Sequence, residues 1–233
     1  MTIAIIVAAG AGIRMGASQP KAFLDLAGCP VVEHSLRVFQ LHHEVDAIVL
    51  LVPPGYADRG RAMTARYPKV HAVEEGGRRR QDTVARGLAR VTAMAGAGEG
   101  QFVIVHDAAR PLVTPDLVTS VLEGARRTGA AVPGIGPADT VRELRGPAGE
   151  EPQMAGRTLD RERLVLVQTP QAFRLQTLVT AYAGDDGRDV TDDAALVQRM
   201  GLDVEVVPGS QSNFKITGPA DLARAAFLLQ SGG

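Results

Sequence analysis

Apolar positions along the chain follow two alternating rhythms. Residues 3–7 form a continuous, β-branched apolar run that ends in Ala8-Ala9-Gly10, the pattern of a buried strand entering a loop. Residues 47–52 and 102–105 read the same way, and residues 70–73 and 204–207 are weaker strands. Helical spacing lies between them. Residues 31–41 place Val32, Leu36 and Phe39 on one side, with Pro30 at the first turn. Residues 81–94 carry Val84, Leu88 and Val91, and residues 116–127 follow the cap-and-proline pair Thr114-Pro115. Further helices are predicted over 192–200 and, after Thr217-Gly218-Pro219, over 220–230. Strands alternating with helices predict an α/β, Rossmann-like fold, a mostly parallel sheet with helices on both faces. Ligands of such sheets bind beyond the carboxyl ends of the strands, so residues directly after strands are the ones to inspect.

Residues 134–159 break the rhythm. Gly134, Gly136, Pro137, Gly146, Pro147, Gly149, Pro152 and Gly156 exclude a core helix, while Thr140-Val141 and Thr158-Leu159 are β-compatible. The stretch is too long for an ordinary loop and is expected to be a flexible lid or a protruding β-hairpin arm. With 233 residues the chain can bury a sizeable core, and one domain over 1–233 is expected.

Composition narrows the function classes. A formal net charge of −1 argues against a general nucleic-acid binder but leaves room for a local basic pocket. The single cysteine, Cys29, excludes an intrachain disulfide or a cysteine metal cage and reads as a small buried filler. No apolar run is long enough to span a bilayer, and no basic region precedes the first apolar stretch, so neither membrane insertion nor a secretory leader is expected. The basic residues comprise 22 arginines and only three lysines, Lys21, Lys69 and Lys215, which makes the position of each lysine informative.

Four segments carry candidate chemistry. The first is Ala8-Ala9-Gly10-Ala11-Gly12-Ile13-Arg14-Met15-Gly16, followed by Pro20-Lys21. Small residues let backbone N–H groups approach an anion, and Arg14 and Lys21 add full charges, so phosphate binding is expected. The spacing fits neither the P-loop nor the dinucleotide fingerprint. The second is His106-Asp107-Ala108-Ala109-Arg110-Pro111, read as lying just after a strand. Its Asp107 could hold a divalent cation or orient hydroxyls, or could cap a turn and pair with Arg110. His106 has no identifiable partner for proton transfer and reads as structural.

The third segment runs from Glu74 to Thr83 through Gly76-Gly77-Arg78-Arg79-Arg80. Its glycines could lie against a base and the Thr83 hydroxyl could bond a nucleoside, while most of the arginine run reads as a solvated surface. The fourth, Asn213-Phe214-Lys215-Ile216-Thr217, reads as a short strand that turns Lys215 away from Phe214 and Ile216. That lysine serves either a ligand or edge protection. His42-His43 reads as a surface pair at a helix end, and Lys69 has no evident role.

Taken together these segments resemble the sugar-type nucleotidyltransferases. The His106-Asp107-Ala108-Ala109-Arg110-Pro111 run narrows the likeness. So do Asp139-Thr140, Asp160-Arg161, Gln168-Thr169-Pro170-Gln171-Ala172-Phe173, Thr191-Asp192-Asp193 and Asn213-Phe214-Lys215-Ile216-Thr217. The combination is similar to the 2-C-methyl-D-erythritol 4-phosphate cytidylyltransferase family of the non-mevalonate isoprenoid pathway, over nearly the whole chain.

The resemblance implies a nucleotidyltransferase fold with an extended β-arm, and transfer of the cytidylyl group from CTP to a polyol phosphate. It implies that Arg14 and Lys21 neutralise the triphosphate, and that Lys215 and Arg161 hold the attacking phosphate. It assigns cytidine and phosphate recognition to Ala8, Ala9, Gly10, Gly12, Gly77, Thr83 and Ala108, and polyol orientation to Asp107, Thr140 and Thr169. Mg²⁺ would sit mainly on CTP phosphates, with Asp107 its protein candidate. The arm would interlock with a second subunit in a homodimer, and Thr140 and Arg161 would complete the neighbour's site. The implied setting is the cytoplasm. Two other readings compete: a cytidylyltransferase for another polyol phosphate such as ribitol 5-phosphate, and a nucleotide-binding module without catalysis.

Overall fold

The computed structural model describes residues 1–10, 19–95, 100–146, 149 and 151–231. The apolar run after Met1 forms β1 (Thr2–Val7) at the middle of the main sheet. It pairs in parallel with β4 (Ala47–Val52) on one side and β6 (Phe102–Asp107) on the other, with Ile5 opposite both Val49 and Val105. β5 (Val70–Glu75) adds a parallel strand outside β4. On the other flank β11 (Gln171–Arg174) runs antiparallel to β6 and to β7 (Ala130–Ile135). β7 also pairs antiparallel with β10 (Leu166–Val167) and parallel with β12 (Glu205–Pro208).

Period-two alternation divides the core between the two faces of the sheet. Ala4 and Ile6 pack with Leu36 and Phe39 of α1 (Val31–Leu41) and with Val118, Val121 and Leu122 of α4 (Pro115–Thr128). Ile3 and Ile5 face Val84, Leu88 and Val91 of α3 (Arg80–Ala95), Leu178 of α5 (Leu175–Ala183) and Leu196 of α6 (Ala194–Arg199). A smaller cluster joins Leu26, Val31, Ile216 and Ala225, seating α7 (Pro219–Gln230) beside the hairpin of β2 (Asp25–Leu26) and β3 (Cys29–Pro30). The expected cap is present: the Thr114 hydroxyl accepts from Leu117 N at 3.3 Å.

Several elements differ from the sequence reading. The strand read as 102–105 runs on to Asp107, which makes His106 and Asp107 strand residues rather than loop residues. β7 was not expected, because Pro133-Gly134 interrupts its apolar character; its place between β11 and β12 makes it a strand nevertheless. α2 (Ala57–Thr64) was hidden by its many polar residues and by Gly60. That glycine is needed for packing, since a Cβ there would lie 2.7 Å from Val73 Cγ1. His42 is buried and bonds the Thr119 hydroxyl at 3.1 Å, so only His43 of the expected surface pair is exposed. Lys69 has a role after all, donating to the His42 carbonyl at 2.8 Å at the end of α1. The expected strand at Lys215 is irregular chain that belongs to no sheet.

Within 134–159, Gly134 and Ile135 belong to β7, and the remainder carries an exposed hairpin of β8 (Arg142–Leu144) and β9 (Ala155–Thr158). An Arg157–Glu143 ion pair at 2.8 Å crosses it. Leu144 and Met154 stand about half exposed, at 49% and 56%.

Phe39 is fully buried, with its ring 5.2 Å from that of His106. Phe39→Ala is expected to lower the unfolding free energy by about 3–5 kcal/mol, read from urea titrations. A loss under about 1 kcal/mol would show that this part of the core does not carry the sheet face.

Candidate functional site

The sheet ladder continues one step past the strand ends and brings three loops side by side. Ala8 N donates to Leu51 O at 2.8 Å, Ala108 N to Val7 O at 3.0 Å, and Gly76 N to Val52 O at 2.8 Å. The loop after β5 presses directly onto the loop after β1: a Cβ on Gly76 would lie 2.2 Å from Ala9 Cβ. On Gly77 it would lie 2.4 Å from Asp82 Cβ. Only glycine allows this approach.

Between these loops lies a cavity of about 370 Å³, at the carboxyl ends of the strands. Ala8, Ala9, Gly10, Lys21, Gly77, Thr83, Asp107, Ala108 and Lys215 all line it, so most of the expected site residues meet in one place. Gly12 and Arg14 lie outside the described residues.

Two segments far apart in the chain supply the lysines. Lys21 begins a short 3₁₀ turn, Lys21–Phe23, and its Nζ donates to Ile216 O at 2.5 Å. The Ile216 N–H in turn donates to Ala109 O at 2.8 Å, fixing the Lys215 segment against the loop after β6. Lys215 Nζ donates to Asp107 Oδ2 at 2.6 Å.

Asp107 is the site's electrostatic centre. Its Oδ1 accepts from Arg80 Nε at 3.0 Å, and its side chain is only 9% exposed. Burial alone would raise the Asp107 carboxyl, but the charges of Arg80 and Lys215 outweigh it and hold the group below the usual carboxylate range. The expected alternative partner, Arg110, instead donates to Asn213 O at 2.8 Å.

The arginine run is not simply a solvated face. Arg80 is 21% exposed and joins Asp107 to the fully buried Asp193, with Nη2 2.8 Å from Asp193 Oδ2. Burial would lower the Arg80 guanidinium, but Asp193 and Asp107 more than compensate and raise it. The sequence reading missed Arg80 and Asp193 as site residues. The available signal was the position of Arg80, three residues after a glycine pair and at the first residue of a helix.

Two threonines face inward rather than toward a ligand. The Thr83 hydroxyl accepts from Gly77 N at 3.0 Å and donates to Arg79 O at 3.1 Å, so it braces the glycine turn. The Thr169 hydroxyl is buried behind Asp107 and accepts from Asp107 N at 3.0 Å. Thr169 Oγ1 also lies 3.3 Å from His106 Nδ1, while His106 Nε2 lies 3.2 Å from Arg110 O. A carbonyl can only accept, so Nε2 carries the hydrogen and Nδ1 accepts from Thr169. In this structure both expected hydroxyl contacts are made with protein. Thr140 and Arg161 are exposed and do not line the cavity, and Arg161 Nη1 donates to Ala138 O at 2.8 Å.

No group of three or more His, Cys, Asp or Glu side chains able to hold a metal occurs among the described residues. Asp107 is the one carboxylate lining the cavity among them. No helix of the described residues is long and apolar enough to cross a membrane.

Comparison with known proteins is consistent across sequence and structure. The family profile of 2-C-methyl-D-erythritol 4-phosphate cytidylyltransferase matches residues 2–231. The chain is 42% identical to the 2-C-methyl-D-erythritol 4-phosphate cytidylyltransferase of Acidobacterium capsulatum over 236 residues, 97% of this chain and 96% of the relative. It is 44% identical to the bifunctional enzyme IspD/IspF of Desulforudis audaxviator, covering 99% of this chain but only 57% of that protein. The crystal structure of 2-C-methyl-D-erythritol 4-phosphate cytidylyltransferase from Thermus thermophilus superposes with a TM-score of 0.75 at 36% identity, over 97% of this chain and 98% of that one.

Burial pushes the His106 imidazole down to about 3 from an ordinary 6.5, the neighbouring Asp107 opposing only in part. Between those values the unfolded chain binds a proton that the folded chain refuses, so stability falls as pH drops through this window. The residue's share is up to about 1.4 kcal/mol per pH unit. Urea unfolding from pH 7 to 4 is expected to show a shallower pH slope in His106→Gln than in the wild type. Equal slopes would refute a neutral buried His106.

Proposed function

The chain belongs to the 2-C-methyl-D-erythritol 4-phosphate cytidylyltransferase family, and we propose that the cavity between its glycine loops is where the two substrates of that reaction meet. The reaction is transfer of the cytidylyl group from CTP to 2-C-methyl-D-erythritol 4-phosphate, with release of pyrophosphate. A phosphate oxygen of the polyol substrate bonds to the α-phosphorus of CTP as the bond to the β-phosphate oxygen breaks. The observation that carries this reading is the convergence of Lys21 and Lys215 on a cavity walled by Ala9, Gly10 and Gly77.

Both substrates are anions, so the barrier contains charge repulsion as well as bond change, and cations aimed at the reacting phosphates lower it. A phosphate monoester is already a nucleophile near neutral pH, so the buried, neutral His106 need not act as a base. Lys21, together with Arg14, is read as neutralising the triphosphate. Lys215 would exchange its bond to Asp107 for a substrate phosphate, which its 40% exposed side chain leaves room to do. Ala8 and Ala108 commit their N–H groups to the ladder, so their part is to present a small surface to the nucleotide. Gly77 and Thr83 would shape the wall beside the base. Thr169 would act through Asp107 by fixing its backbone, leaving the Asp107 carboxylate to meet the polyol.

Bound Mg²⁺ would neutralise phosphate charge and favour departure of pyrophosphate. The donor set fits an ion carried mainly by the nucleotide, since Asp107 is the one lining carboxylate among the described residues and both its oxygens already face cations.

The reading takes the whole chain as one nucleotidyltransferase unit in the cytoplasm, with the 134–159 arm pairing two copies as a homodimer. What supports the pairing is the arm's exposed Leu144 and Met154, near Thr140 and Arg161 in sequence but outside the cavity lining. On this view Thr140 and Arg161 complete the site of the neighbouring subunit.

Pyrophosphate release is expected with CTP and 2-C-methyl-D-erythritol 4-phosphate and not with ribitol 5-phosphate. Turnover with ribitol 5-phosphate alone would replace the acceptor, and binding of CTP without release would make the chain a non-catalytic module. Lys215→Ala and Arg14→Ala are each expected to cut kcat by about 10² or more, and near-normal rates would remove them from the site. Mixing the Lys215→Ala and Arg161→Ala chains tests the shared site. Mixed dimers would hold one intact site, restoring about a quarter of wild-type activity. No restoration after subunit exchange would exclude sharing.

A further inference from the structure

Three consecutive residues at the start of α3 reach to a segment that does not line the cavity. Arg79 Nη1 donates to Gly187 O at 2.9 Å and to Asp189 at 3.2 Å. Gln81 Nε2 donates to Asp185 at 3.1 Å, and Gln81 Oε1 accepts from Val190 N at 3.2 Å. Between them Arg80 turns inward and touches two carboxylates at once, Asp107 in the cavity wall and Asp193 behind it. Asp193 is fully buried, and its second oxygen accepts from the Tyr182 hydroxyl at 2.6 Å. We infer that Arg80 and Asp193 are positioning residues for the cytidylyl transfer: Asp193 holds Arg80, Arg80 holds Asp107, and Asp107 sets where the Lys215 ammonium stands.

Four charges alternate along this row, Asp193, Arg80, Asp107 and Lys215, so each buried carboxylate has a cation and the row is formally neutral. The guanidinium is what makes the row possible. Its Nε and Nη2 point to different acceptors from one rigid plane, whereas a lysine ammonium at the end of a flexible stem has no such fork. Remove Arg80, and Lys215 becomes the only cation bonded to Asp107 among the described residues; the pair then tightens and withholds Lys215 from substrate phosphate. Remove the Asp193 charge, and the Arg80 fork is free to turn onto Asp107 alone or into the cavity, displacing Lys215 either way. Arg80 lines the cavity and Asp193 does not, but both reach Lys215 through Asp107, so the effect falls on turnover more than on CTP binding. Asp193 lies on no surface of the cavity, and composition or spacing gives it no chemical role by itself.

The inference rests on the reading that Lys215 serves a reacting phosphate, and the experiment separates the two. Steady-state pyrophosphate release is measured for Asp193→Asn, Asp193→Glu, Arg80→Lys, Lys215→Ala and the double variant Asp193→Asn/Arg80→Lys. Thr114→Ala, which loses a helix cap that does not line the cavity, is the control for stability loss alone. Asp193→Asn and Arg80→Lys are each expected to lower kcat about 10- to 100-fold with KM for CTP within about 3-fold of wild type. Asp193→Glu recovers part of the loss, and the double variant is no worse than Arg80→Lys, since both act along one path. Losses that multiply in the double variant, or a kcat for Asp193→Asn equal to that of Thr114→Ala, overturn the inference. Arg80→Lys carries the test alone if the Asp193 variant does not fold, and a wild-type kcat there overturns it equally. If Lys215→Ala is silent, the reading of the site fails. If Lys215→Ala is impaired while the Arg80 and Asp193 variants are silent, only the positioning row fails.

Discussion

The Asp107 carboxylate, at the end of a central strand, is the group around which the cavity is organised. Left alone, a carboxylate with 9% of its side chain exposed would give up its charge. It keeps that charge because two cations reach its two oxygens, Arg80 from the first turn of a helix and Lys215 from an irregular segment more than a hundred residues on. Each has its own anchor: Asp193 for Arg80, and the Ile216–Ala109 backbone bond for the segment of Lys215. The strand delivers the anion, two loops deliver the cations, and the glycine pair at Gly76 and Gly77 lets the loops close in.

Much of this is legible in the amino-acid sequence. The helix over 31–41 and the strand over 47–52 appear with those bounds, because their apolar spacing has a single consistent reading. The candidate segments converge on one cavity because parallel α/β sheets bring their loops to one edge. What escaped had physical causes. β7 carries Pro133-Gly134, α2 is mostly polar, and the Lys215 segment is irregular and belongs to no sheet. Such elements are held by tertiary neighbours that a local pattern does not contain.

The threonines teach a narrower lesson. Thr83 and Thr169 both lie at the site, yet each hydroxyl is turned to protein, one bracing a glycine turn and the other bonding the Asp107 backbone. Position in a motif indicates neighbourhood; the direction of a hydroxyl depends on which backbone groups around it need partners. Arg80 shows the reverse. A charge inside a run of three arginines reads as surface, and only the fold reveals two carboxylates waiting on either side of it.

The bond from Lys21 Nζ to Ile216 O joins positions 195 residues apart, and it orders events in time. A chain made from its N-terminus lays down the first glycine loop, Lys21, Arg80 and Asp107 well before Lys215. Until the segment through Ile216 docks and α7 settles onto Leu26 and Val31, the first lysine lacks its carbonyl and Asp107 lacks its second cation. The sheet can be nearly complete while the cavity still lacks its second lysine and Asp107 has only Arg80 beside it among the described residues. The row of charges around Asp107 is therefore closed only by a residue that synthesis adds late, long after the strand that carries the carboxylate.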